Sequence, residues 1–331
     1  MDQSQLPRPR GQSLPLPASP SAWLGFCTSR ELATGPVSRR VAGRQLVAFR
    51  TDSGRVAVLD SRCVHMGSDL ARGQVVGESI RCPFHHWQFG SDGRCTRIPA
   101  AVEIPSFACQ RAYVAKEQHG CVFFYWGDEP AFPLPFFDGI RVDQLVRAPP
   151  FTLDLACPWY LVGANGIDVQ HFQATHSRRL LDTPRIEHPH PHAQRSTARF
   201  EVAGTSVSDR LTRRLAGPEV TMRVTDWGGA LFFVEATFRR TKTFGMVTLL
   251  PLERARTLLH VTVAIAKGSA GWRRLTNRPA VAIRRHFIRT FLAADVARSQ
   301  GTDLRPETLI DADRWLKDYY AWLCSLYPPR H

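Results

Sequence analysis

The chain has 331 residues, 44% of them hydrophobic, which is enough to bury a core in each of two domains of ordinary size. No apolar run approaches the length of a membrane span, and Pro7, Pro9, Pro15, Pro17 and Pro20 break the first residues before any secretory apolar core, so a cytoplasmic protein is expected. The net charge of +14 is spread over scattered pairs such as Arg39-Arg40, Arg213-Arg214, Arg239-Arg240 and Arg284-Arg285, with no dense basic block and no nucleic-acid motif.

In chain order, residues 1–20 read as a disordered tail rich in Pro, Ser and Gln. A strand-rich unit follows over 21–130. Runs at Leu46–Phe49 and Val56–Leu59 flank Thr51-Asp52-Ser53-Gly54, which predicts a hairpin. Just beyond it lie two mixed pairs, Cys63-Val64-His65 and Cys82-Pro83-Phe84-His85, with Gly67 and Pro83 as turn residues. Two thiolates and two imidazoles on two short loops are the donor set of a Rieske [2Fe–2S] centre, cysteines on one iron and histidines on the other. A structural zinc site is the competing reading, but it favours loops that carry two ligands of one type. The other cysteines, Cys27, Cys95, Cys109, Cys121, Cys157 and Cys324, resemble no disulfide framework and read as reduced thiols.

Cys121–Trp126 reads as the strand that closes this unit, and a connector with Pro130, Pro133 and Pro135 leads into a second unit over 131–331. Its opening segment contains Asn165-Gly166-Ile167-Asp168-Val169-Gln170-His171 and then His176. On a regular helix His171 and His176 stand about 140° apart, so holding one metal between them calls for a loosened or π-type turn. The clearest strands after that are Glu219–Val224, Ala230–Phe238, Gly245–Leu252 and Thr257–Ala266, an antiparallel meander. Two helices, Pro279–Gln300 and Pro306–Leu323, close the chain. The run His188-Pro189-His190-Pro191-His192 reads as an extended loop whose rings splay apart, incidental to metal binding.

Two histidines and one carboxylate form the facial triad that holds Fe(II) with open positions. Asp295 is the expected carboxylate, because Ile288, Phe291 and Leu292 at i−7, i−4 and i−3 put it on an apolar helix face. An inward acid there needs a partner. Asp303, Asp311 and Asp313 are the rivals.

Over Cys63–Cys95, including Pro83, Trp87 and the Gly93 turn, the chain resembles the Rieske domain of the non-heme iron ring-hydroxylating oxygenases, and Asp168-x-x-His171-x-x-x-x-His176 resembles their mononuclear iron motif. One residue departs from that pattern: His86 stands where the family usually has glycine. Neither Met66 nor Phe84 supplies the extra loop cysteines of the respiratory Rieske proteins.

The resemblance implies an α+β fold: an all-β [2Fe–2S] domain, then a catalytic domain whose antiparallel sheet surrounds a long helix in a helix-grip-like arrangement. Cys63, His65, Cys82 and His85 would bind the cluster, and His171, His176 and Asp295 the Fe(II). Asp168 would bridge, in a homotrimer, from a cluster histidine of one chain to the iron site of the next. Asn165 would orient the iron site or cap a helix. A separate reductase or ferredoxin would bring electrons from NAD(P)H, since no dinucleotide fingerprint is present. The positive surface suits an acidic donor, or reflects arginine-rich composition.

The expected function is that of a terminal oxygenase that monooxygenates, hydroxylates or demethylates a small aromatic, steroid or natural-product substrate. Dihydroxylation, desaturation and oxidative cyclisation are alternatives at the same site. Phe232, Phe233 and Phe291 are possible pocket walls or plain core. A reading of another class is an electron-transfer protein with a non-catalytic binding domain.

Overall fold

The computed structural model of the chain describes residues 14–268, 271–302 and 304–328, and for residues 271–275 the backbone alone. The N-terminal half consists of three small antiparallel sheets. Trp23–Thr28 pairs with Cys121–Tyr125, which pairs with Ala115–Gln118, so the first and last strands of this half are neighbours. Val37–Val41, Arg44–Arg50, Val56–Asp60 and Ala112–Tyr113 form the second sheet, with the predicted hairpin closed by the Thr51 N–H on the Arg55 carbonyl at 2.9 Å. The third, Gln74–Val76, Ser79–Arg81, Gln88–Gly90 and Cys95–Arg97, carries the second ligand loop between its two middle strands. Helix α1 (Ser29–Leu32) starts at a capping box of Thr28 and Glu31.

The C-terminal half is one nine-stranded sheet. Its antiparallel path runs from Leu145–Arg147 through Arg256–Ala266, Lys242–Glu253, Leu231–Phe238, Glu219–Trp227 and Ala193–Val202 to Arg178–Leu180. Phe151–Leu155 also pairs with Arg256–Ala266, and Arg185–His190 with Ala193–Val202. Helices α2 (Trp159–Ala164) and α3 (Val169–His176) precede the sheet's far edge, and α4 (Val207–Leu215) follows it. The long α5 (Gly271–Ser299) packs across Arg256–Ala266, Leu145–Arg147 and Phe151–Leu155 and also touches α3. Helix α6 (Arg314–Leu326) packs on α2.

The two halves share a core. Trp23, Phe26, Phe123 and Phe124 from the first join Phe233, Phe244, Met246 and Leu250 from the second in one buried cluster. Each such aromatic or aliphatic side chain contributes roughly 1.5–3 kcal/mol on burial. Gly25 allows the approach: a Cβ there would lie 2.3 Å from Thr248 Cγ2.

Several sequence expectations change on folding. Residues 14–20, assigned to a disordered tail, lie against the second half, with Leu14 and Leu16 packed on its core and the Pro17 carbonyl accepting the Trp159 indole N–H at 3.1 Å. Residues 1–13 of that tail lie outside the described residues. The helix expected from Pro279 begins at Gly271 and carries Pro279 inside it, its entry tied by the Gly268 N–H on Asn277 Oδ1. Pro306 opens only a short 3-10 turn, and α6 starts at Arg314. Asp313 accounts for the delay: its carboxylate accepts the Ile310 N–H at 3.0 Å and the Gln170 amide at 2.6 Å, local bonds that compete with a helical turn. His188–His190 belongs to an edge strand rather than a loop, because its neighbour Ala193–Val202 gives it a partner that polar alternation had concealed.

Candidate active site

The two ligand loops present their donors in opposite directions. Cys63 and Cys82 are buried, whereas His65 and His85 are exposed. Turns closed by Gly67 N–H to the Cys63 carbonyl (2.7 Å) and by Cys82 N–H to the Trp87 carbonyl (2.8 Å) fix this arrangement. Burial pushes the Cys63 thiol up to about 11; the backbone N–H groups of His65 and Met66 act against that rise, and the adjacent Cys82 adds to it. Amides aimed at a sulfur are what a thiolate ligand needs once a metal has removed its proton. The His65 and His85 rings stand 4.6 Å apart, and His65 stacks on Trp87 at 4.4 Å with planes 5° apart. A donor set of two inward sulfurs and two outward imidazoles fits a [2Fe–2S] cluster. His86 has φ +58°, the left-handed region, so the loop demands there the conformation that glycine adopts without cost.

The second constellation joins two helices. Asp168 is the N-cap of α3, and its Oδ1 accepts the His171 N–H at 2.9 Å. His171 and His176 project from α3 with ring centroids 4.9 Å apart and planes at 84°. Asp295, on α5, places Oδ1 2.9 Å from His171 Nε2 and 2.8 Å from His176 Nε2. No N–H is directed at that oxygen, which leaves it a buried carboxylate atom without a hydrogen bond. Three donor atoms converging within 4.8 Å, none satisfied by the others, fit a single metal ion. Burial alone would raise the Asp295 pKa, but the two imidazoles beside it outweigh that and hold it below the usual carboxylate range.

The helix does not bulge between the two histidines. The loosening comes at its end, where the Ser177 N–H is shared between the Gln173 and Phe172 carbonyls and Ser177 turns left-handed at φ +51°. His176 in the last turn and His171 in the first therefore reach one point from either side. The face predicted from Ile288, Phe291 and Leu292 does turn inward: Ile288 and Leu292 pack on one core cluster and Phe291 on another. Of the rival acids, Asp311 is exposed beside Lys317, Asp313 is engaged as described above, and Asp303 lies outside the described residues.

Asn165 is the C-cap of α2, and its carboxamide makes no hydrogen bond among the described residues. Phe233 is part of the shared core, against Phe137 at 4.9 Å, whereas Phe232 faces α2. Sequence reasoning did not reach the supports of the triad. Phe291 stacks on His176 at 3.5 Å with planes 9° apart. Thr175 Oγ1 lies 3.3 Å from His171 Nδ1, an i+4 relation that was readable on a helix. Arg178 donates at 2.8 Å to both the His176 carbonyl and Asp209 Oδ1, a contact without local sequence signal. The six cysteines outside the loops are free thiols.

Comparison with known proteins agrees with this geometry. Residues 22–108 match the Rieske [2Fe-2S] domain family. The chain is 37% identical over 163 residues to the tert-butanol monooxygenase / tert-amyl alcohol desaturase oxygenase subunit of Aquincola tertiaricarbonis, over 48% of this chain and 35% of that protein. It is 42% identical over 171 residues to the cholesterol 7-desaturase of Xenopus laevis, over 50% of this chain and 38% of that one. The matched segment thus spans little more than a third of each relative. Among solved structures, Pseudomonas putida NdmA with caffeine superposes with a TM-score of 0.71 at 18% identity, covering 92% of this chain and 89% of that one. Apo dicamba monooxygenase does so at 0.68 and 19% identity, covering 92% and 96%. At such identities the likeness is one of fold, and it extends through both halves of the chain.

Proposed function

As the chain belongs to the Rieske non-heme iron oxygenases, we propose that it is a terminal oxygenase component, which takes electrons from NAD(P)H through a separate reductase or ferredoxin and oxidises a small organic molecule with O₂. One observation carries this reading: His171, His176 and Asp295 converge in the same chain that presents the cysteine–histidine loops. When bound, the cluster would supply electrons singly and the mononuclear ferrous ion the place where dioxygen is activated. The protein's share is positioning. Asp295 and the two imidazoles would hold the ion, and Phe291 and Thr175 keep the imidazoles in orientation.

Asp168 has a second use in this account. Its Oδ2 makes no hydrogen bond among the described residues, while its Oδ1 caps α3 at His171. Within the chain, His65 and His85 make ring contacts with Trp87, Phe84 and each other rather than with α3. We propose a homotrimer in which His65 or His85 of one copy meets Asp168 of the next, so that the electron crosses between subunits.

The relatives include an enzyme named for both monooxygenation and desaturation, and one named Chloroacetanilide N-alkylformylase, oxygenase component. Monooxygenation or demethylation is the first reading here and desaturation the second. The test is substrate-dependent O₂ uptake by the full chain with NADH and a generic reductase, over a panel of aromatic, steroid and alkaloid-like compounds. Uptake matched by oxidised product supports the proposal. A cluster that reduces and reoxidises without product from any of them, in a chain with two irons, makes the protein an electron carrier instead.

A further inference from the structure

Helix α4 turns its apolar side away from the protein. Val207, Leu211 and Leu215 recur at i, i+4 and i+8, so they lie along one stripe of the helix, and they are 72%, 40% and 61% exposed. A surface helix ordinarily does the reverse. Here the inward side is polar and tied down. Asp209 is buried and accepts from Arg178 at 2.8 Å and from the Ser206 hydroxyl at 2.6 Å, and Arg213 donates to the Val202 and Gly204 carbonyls at 2.8 Å and 2.5 Å. These bonds set the rotation of the helix and hold the stripe outward.

Arginines border the stripe. Arg210 and Arg214, both exposed, each follow an apolar member by three residues, which sets them along one flank. The turn after the strand Leu231–Phe238 brings the exposed Arg239 and Arg240 to the C-terminal end of the helix, where the Arg240 N–H donates to the Ala216 carbonyl at 3.1 Å and its guanidinium to the Arg214 carbonyl at 2.6 Å. Arginine pairs that look scattered in the sequence thus meet in one place. Of the acids on the neighbouring strands, Glu201 is taken by Arg179 and Glu235 by Lys242 and Arg223, while Glu219 stands opposite Glu201. An apolar stripe rimmed by guanidiniums suits an anionic lipid surface, with the aliphatic side chains among the acyl chains and the cations at the phosphates. A second copy of the chain suits it less well, because a two-fold contact over the stripe would bring each arginine flank near its own kind.

We propose that α4, together with Arg239 and Arg240, docks the protein on an anionic membrane surface. No helix among the described residues is long and apolar enough to cross a membrane, so the attachment is peripheral. Through Arg178, bonded to both Asp209 and the His176 carbonyl, the docked helix would hold the end of α3 beside the lipid. The proposal goes beyond the oxygenase reading and does not depend on it. The test is flotation of the full, iron-loaded chain with vesicles of phosphatidylcholine alone and of phosphatidylcholine with about one-third phosphatidylglycerol. The anionic vesicles are expected to bind it about tenfold more tightly than the neutral ones, and Leu211→Gln with Leu215→Gln, or separately Arg210→Gln with Arg214→Gln, to weaken that binding about tenfold. All four side chains are exposed, so both variants are expected to keep the melting temperature and visible spectrum of the parent. If the leucine pair unfolds, Val207→Ser, at the most exposed position of the stripe, takes its place. No binding to the anionic vesicles, equal binding to both kinds, or unchanged binding in either variant overturns the proposal. Loss in the arginine variant alone would make this a charged face suited to an acidic protein, and a lower molecular mass of the leucine variant in light scattering, with no vesicle binding by the parent, would make it a contact between copies.

Discussion

Asp168 Oδ1 accepts the backbone N–H of His171 at 2.9 Å, so the acid proposed to carry electrons between subunits also starts the helix that bears the proposed iron ligands His171 and His176. The two uses separate by substitution. Asparagine is as good an N-cap as aspartate, whereas alanine costs about 1 kcal/mol. Asp168→Asn is expected to keep its melting temperature and both iron sites while coupled product formation falls by orders of magnitude. Asp168→Ala is expected to lose the same turnover and also about 1 kcal/mol in urea unfolding. Normal product formation by Asp168→Asn would remove the bridge from the account.

Phe291 lies flat against His176, one helical turn before Asp295, so one side chain ties an imidazole of the proposed metal site to the helix bearing its carboxylate. Phe291→Ala is expected to destabilise the fold by about 1–2 kcal/mol and to weaken mononuclear iron binding at least tenfold, with the cluster's visible spectrum intact. Chelator competition on the purified variant reads the iron affinity directly.

The Arg178–Asp209 pair, at 2.8 Å, clamps the chain just past His176 to α4. Burial would raise the Asp209 pKa, but hydrogen bonds from Ser206 and Arg178 and the guanidinium charge hold it below the ordinary value. A carboxylate whose folded pKa is depressed stabilises fully above its unfolded value of about 3.9 and loses that contribution as pH falls through the lower folded value. Asp209→Asn is therefore expected to be about 2 kcal/mol less stable than the parent at pH 7, with the gap closing towards pH 3. Denaturant midpoints of the two proteins across that range give the sign.

His86 holds φ +58° in the second cluster loop, where an L side chain is disfavoured. His86→Gly is expected to raise stability by about 0.5–1 kcal/mol, part of the strain relief being offset by the freer unfolded chain. Differential scanning calorimetry of the cluster-loaded pair measures it, and a lower melting temperature would mean that His86 makes a contact worth more than the strain.

What the sequence made legible was chemistry with local spacing. Cys63, His65, Cys82 and His85 sit on turns marked by Gly67 and Pro83, and the four strands of the meander showed in their hydrophobic pattern. Asp295 was legible only because its helix face is apolar, a periodic signal that survives over a hundred residues from its partners. The rest depends on contacts distant in sequence. The strand Ala193–Val202 is masked by its arginines and polar alternation, α6 is delayed by bonds from Asp313 to Gln170 and Ile310, and Leu14 and Leu16 find their core only once α2 is in place.

Iron per chain in the purified, anaerobically reconstituted protein tests the central claim most directly. Three irons are expected in the parent, two in a cluster with its visible spectrum and one at His171, His176 and Asp295, and Asp295→Ala is expected to fall to two with that spectrum unchanged. A parent that binds only two irons, or an Asp295→Ala variant that retains three, would contradict the account.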